Sequence, residues 1–104
     1  MLGRLYPGQD SSAARALEIV GERWSLLIVH DALFAGTSRF TDFQRALGIA
    51  PNVLTKRLED FVTVGIFELR RGEGRHAEYV LTSKGRDLRP VIIALTRWGE
   101  RWAS

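Results

Sequence analysis

Ser25, His30 and Asp31 are the residue types that serve as nucleophile, base and orienting acid in acyl transfer. Residues adjacent in a helix point about 100° apart, so His30 and Asp31 would not align as base and orienter. Neither His30 nor His76 has a second histidine at metal-ligand spacing. The sequence contains 0 cysteines, which excludes a thiolate metal site, a thiol nucleophile, a disulfide framework and a thiol redox switch. Gly72-Glu73-Gly74 is too short for a nucleotide fingerprint and lacks the strand before it and the helix after it, so it reads as a turn. These residues predict no enzyme, no cofactor and no metal.

A different chemistry is offered by the run Asn52-Val53-Leu54-Thr55-Lys56-Arg57. Placed on a helix with an anchored inner face, it presents short polar and basic groups of the kind that read base edges in the major groove of double-stranded DNA. Asn52 suits adenine, Val53 a thymine methyl, Thr55 a base or phosphate, and Lys56 and Arg57 guanine or phosphate. Arg39 and Thr41, at the start of the preceding helix, join the set. Downstream, Arg70, Arg71, Arg75 and His76 surround a glycine-containing tip, and guanidinium groups on such a loop follow the minor groove or the backbone. Residues 39 to 86 contain nine basic and six acidic side chains, which accounts for the whole net charge of +3, while the flanks are balanced. The anion-facing surface is therefore expected in the middle of the chain.

The elements that must hold these groups follow from periodicity and punctuation. Ala13, Ala16, Leu17 and Val20 recur at spacings of three and four behind Asp10, Ser11 and Ser12, which predicts a helix starting near Ser11 and ending at Gly21. Trp24 to Ala35 is apolar around most of its circumference and reads as a central helix surrounded by others. Thr41-Asp42-Phe43-Gln44 has the form of a capping box, opening a short helix to about Leu47. Gly48 is placed to end that helix with a positive φ, and Pro51 to begin the next at its tolerated first position. On this next helix Leu54, Leu58, Phe61 and Val62 fall on one face, opposite Asn52, Lys56, Glu59 and Thr63. From Ile66 the period changes to two: strands at Ile66–Arg71 and Glu78–Leu81 make a β-hairpin. Thr82 caps a further helical turn, and Leu88, Val91, Ile92, Leu95, Trp98 and Trp102 form an apolar stripe that Pro90 divides into two helices. Two helices joined by a tight turn and followed by a basic ribbon make a winged helix-turn-helix. The fold class is thus mainly α with a small β-hairpin, α+β.

With 104 residues, 45% hydrophobic and 26% charged, the chain has the size and composition of a single domain spanning 1–104. A core this small leaves little to cover Trp98 and Trp102, one helical turn apart, which predicts a homodimer with its recognition helices about 34 Å apart. The run Leu26-Leu27-Ile28-Val29 is far short of the roughly 20 residues needed to span a membrane, and Met1 to Pro7 lack a signal-peptide apolar region. No membrane association and a cytoplasmic location are the expectation.

Four segments together resemble the HxlR-type transcriptional regulators: Ala14 to Trp24, Arg39 to Phe43, Gly48 to Leu58 and Tyr79 to Leu88, the last a signature shared with the MarR and PadR families. The resemblance implies a homodimeric winged-helix regulator on a pseudo-palindromic operator. N- and C-terminal helices would form the dimer interface, here through Leu17, Val91, Leu95, Trp98 and Trp102. Many proteins of that type have a cysteine just before the first helix, and some sense oxidants or electrophiles with it. The matching position here is Ser11, whose hydroxyl is no such nucleophile without an activating base. Ser11 is read as a helix cap, and no thiol-based sensing is expected. An alternative reading makes the winged helix a protein-interaction or small-effector-binding module without DNA specificity of its own, with Trp24, Phe34, Trp98 and Trp102 lining the effector pocket.

Overall fold

The computed structural model describes residue 8 and residues 10–72 and 76–103. Among these, the order of elements is α1 (Ser12–Val20), α2 (Ser25–Phe34), α3 (Phe40–Leu47), α4 (Pro51–Thr63), β1 (Phe67–Arg71), β2 (Ala77–Leu81), α5 (Ser83–Arg86) and α6 (Arg89–Trp102). The architecture is a winged helix-turn-helix, as the periodicities predict.

Local chemistry sets most of the boundaries. The Ser11 hydroxyl accepts the Ala14 amide at 3.0 Å and caps α1. Gly48 ends α3 at φ 65°, a left-handed conformation that glycine adopts without a Cβ penalty, and Pro51 opens α4. The turn between the two helices is therefore built as its residues require.

The start of α3 departs from the expectation. Its cap is Arg39, whose carbonyl accepts the amides of Asp42 and Phe43 at 3.1 and 3.0 Å, so Thr41 lies inside the first turn and the capping box does not form. Phe40 packs against the core as Phe43 does, and burying both brings the helix start forward.

The core forms where the helices meet the hairpin. Phe43 of α3, Phe61 of α4 and Phe67 of β1 are buried, and Phe67 stands 6.1 Å from Phe43, 5.8 Å from Phe61 and 6.4 Å from Tyr79 of β2 by ring centroids. This aromatic cluster ties the two helices to both strands. Ile28 and Val29 place α2 at the centre, against α3, α6 and β2. The circumference of α2 is not wholly covered, however: Leu27 and Phe34 are exposed in the single chain.

The strands pair antiparallel, from Phe67 opposite Leu81 to Arg71 opposite Ala77. Beside β2, the Tyr79 amide donates to the Ser38 carbonyl at 2.7 Å and fastens the hairpin to the α2–α3 connection. The base of the hairpin is closed by Thr82, which caps α5 by accepting the Gly85 amide while its hydroxyl donates to the carbonyls of Gly65 and Ile66. Gly85 is required there by space, since a Cβ on it would stand 2.3 Å from the Ile66 carbonyl oxygen. Pro90 lies in the first turn of α6, separating it from α5 as expected.

Candidate nucleic-acid interface

The inner face of α4 is fixed by Leu54, Leu58 and Phe61, all buried. Helical geometry then turns Asn52, Thr55, Lys56, Glu59 and Thr63 outward, and all five are exposed. The first turn of α4 contains no acidic residue, which leaves its free amide groups open to an approaching phosphate, with Glu59 one turn further along the same face. Val53 is half-buried and packs against the core, leaving only its edge on this surface.

Lys56 and Arg57, adjacent in sequence, are separated by the structure. The Lys56 side chain is 54% exposed, with its ammonium 3.2 Å from Asp60 Oδ1. The Arg57 side chain is 13% exposed; it lies 2.8 Å from Glu22 Oε2, in the α1–α2 connection, and 4.0 Å from Asp60 Oδ2. Burial pushes the Asp60 carboxyl up, but the hydrogen bonds and positive charge around it, Lys56 among them, outweigh this and hold it below the usual carboxylate value. Glu22 is the partner that inspection of the sequence misses. The one available signal was on the helix itself: Arg57 falls three residues after Leu54 and four before Phe61, on the flank of the buried face.

Arg39 and Thr41 are exposed at the start of α3. Arg39, Arg70, Arg71 and His76 line one groove beside the hairpin together with Gly72 and Glu78. Two of these cations are partly satisfied inside the protein: Arg70 hydrogen-bonds Glu68 at 2.7 Å, and Arg39 lies 3.9 Å from Glu78. Arg75 lies outside the described residues.

Leu17 of α1 and Val91, Leu95, Trp98 and Trp102 of α6 are exposed, the two tryptophans by 61% and 66%. Leu17, Leu27 and Leu95 line a groove between α1, α2 and α6 that also touches Glu22. Of Trp24, Phe34, Trp98 and Trp102, Phe34 borders a second groove, between α2 and α6, with His30 and Arg97, Trp24 packs against the core, and the other two are exposed. Ser25 is buried at the start of α2, and His30 is exposed with its ring 5.2 Å from that of Phe34. Among the described residues no three metal-ligating side chains cluster, and no helix is long and apolar enough to cross a membrane.

The chain matches a family model, the HxlR-like helix-turn-helix, over residues 19–104. The chain belongs to this family. Among its HxlR-like and winged-helix relatives, Rv3095 of Mycobacterium tuberculosis, an uncharacterized HTH-type transcriptional regulator, is 44% identical over 97 residues, covering 90% of this chain and 60% of that protein. The chain thus spans 60% of the length of such a relative. The crystal structure of PA1607, a candidate transcription factor, superposes with a TM-score of 0.87 at 42% identity, over 93% of this chain and 68% of that one. The redox regulator HypR in its reduced form superposes with a TM-score of 0.74 at 30% identity, over 88% of this chain and 92% of that one.

Proposed function

We propose that this HxlR-like chain is a sequence-specific DNA-binding transcriptional regulator that acts in the cytoplasm as a homodimer on a pseudo-palindromic operator. The observation that carries this reading is the outward face of α4, where Asn52, Thr55 and Lys56 are exposed over an anchored apolar face. In this reading α4 enters the major groove, with Asn52, Thr55 and Lys56 on base edges or phosphates and the edge of Val53 near a thymine methyl. Arg39 and Thr41 approach the backbone, and Arg71, Arg75 and His76 of the wing follow the backbone or the minor groove. The apolar face of Leu17, Val91, Leu95, Trp98 and Trp102 is covered by a second copy, because exposed tryptophans in one stripe are the pattern of an interface core.

The test is selection of the purified protein against a random duplex library, with binding of the recovered sequence repeated across a salt series. An inverted repeat with half-sites about 34 Å apart is the expected result. Weak, strongly salt-dependent binding without a recovered sequence would refute autonomous DNA specificity and favour a protein-interaction or effector-binding module.

A further inference from the structure

Buried Leu54, Leu58 and Phe61 fix which face of α4 points inward, and the contacts on its flank can adjust its rotation only finely. Those flanking contacts are charged. Glu22 Oε2 lies 2.8 Å from Arg57 Nη1, Arg57 Nη2 lies 4.0 Å from Asp60 Oδ2, and Asp60 Oδ1 lies 3.2 Å from Lys56 Nζ. This line of alternating charge starts in the α1–α2 connection, beside the groove between α1, α2 and α6, and ends on the exposed Lys56 of the reading face. The Nε and Nη1 of Arg57 are both buried without a hydrogen bond of good geometry among the described residues, so the 2.8 Å contact with Glu22 is an ion pair. A buried guanidinium held in this incomplete way is a poor source of net stability, because desolvation offsets the Coulomb gain.

We propose that the Glu22–Arg57 ion pair is the strut that sets the fine rotation of α4, making both residues specificity-determining positioning residues that do not touch DNA. This rests on the DNA-binding reading above. Arg57 then acts through Glu22 and Asp60 on the attitude of Asn52, Thr55 and Lys56, and Glu22 connects the α1–α2 frame to the reading surface. The sign of the Glu22 effect separates this strut from simple electrostatics. Removing an acidic side chain from a DNA-binding protein strengthens its attraction to phosphate in general, whereas removing the strut weakens recognition of the right sequence in particular.

The experiment compares the full chain with Glu22→Ala, Arg57→Met and the double variant on the selected duplex and on a scrambled one, across a salt series. Melting and sedimentation are recorded for each variant. Methionine keeps the apolar stem of Arg57 so that α4 stays packed, and Glu22→Ala alone carries the test if Arg57→Met does not fold. The expected result is a folded dimeric Glu22→Ala protein whose preference for the selected duplex falls by about tenfold or more, with an unchanged salt slope and little further loss in the double variant. A retained preference in Glu22→Ala would overturn the strut. So would a salt slope lowered by about one unit in Arg57→Met alone, which would put Arg57 on a phosphate. Loss of the dimer in Glu22→Ala would also overturn it, assigning Glu22 to the interface. If the unaltered chain selects no sequence, the DNA-binding reading fails first and the strut with it.

Discussion

Gly85→Ala is the sharpest test of how the wing is anchored. The added methyl would sit 2.3 Å from the Ile66 carbonyl oxygen and 2.8 Å from Leu81 Cδ2. The nearer atom is backbone and cannot swing aside as the end of a long side chain would, so α5 or the entry to β1 must move. That carbonyl also accepts the Thr82 amide and the Thr82 hydroxyl, each at 3.1 Å, and a shift large enough to relieve the contact stretches both hydrogen bonds. Overpacking and the weakened bonds together cost roughly 2–4 kcal/mol. For a domain of this size that is a fall in Tm of about 8–20 °C, read by thermal unfolding under circular dichroism. Gly99→Ala is the matched control, because a methyl there meets nothing within 4 Å and the position lies within α6. It is expected to gain about 0.5–1 kcal/mol, from reduced backbone freedom in the unfolded chain. A Tm for Gly85→Ala within about 2 °C of the unaltered chain would refute the claim that this contact closes the base of the hairpin.

Ser11→Ala removes the hydrogen bond to the Ala14 amide and should cost about 1 kcal/mol in denaturant unfolding at constant m. The double variant Trp98→Ala/Trp102→Ala should raise the dimer dissociation constant by about 30-fold or more in sedimentation equilibrium, and an unchanged dimer would remove the interface from α6. Lys56→Ala should weaken binding to all duplexes and lower the salt slope by about one unit if it meets phosphate, whereas Asn52→Ala should cost about 1–3 kcal/mol at one base position. Unchanged binding in both would show that the outward face of α4 is not the reading face.

Most of the helix-turn-helix was legible because its signals are local. Ser11, Gly48, Pro51 and, in its cap of α5, Thr82 act on backbone within a few residues of themselves, and all four stand where their chemistry places them; the bonds from Thr82 to Gly65 and Ile66 are the long-range exception. The change from a period of three and four to a period of two located the hairpin to within one residue at each boundary that was anticipated. The capping box at Thr41 misled for a related reason. Its residues are competent to cap, but the helix starts earlier, at Phe40, which is half-buried against the core. Basic character alone likewise could not separate Lys56 from Arg57.

By itself, then, the sequence determined most of the elements and the anchored and outward faces of α4, because caps, turns and periodicity act over a turn or two of chain. Tertiary structure decided which charges are free. Glu22 and Arg57 are distant in sequence and meet only when α4 docks beside the α1–α2 connection, just as Gly85 matters only because the chain returns to Ile66. It also decided that Leu17, Val91, Leu95, Trp98 and Trp102 stay uncovered in one chain, since the core is complete without them. Such contacts depend on loop closure and packing among remote segments, and no local pattern of residue types encodes them.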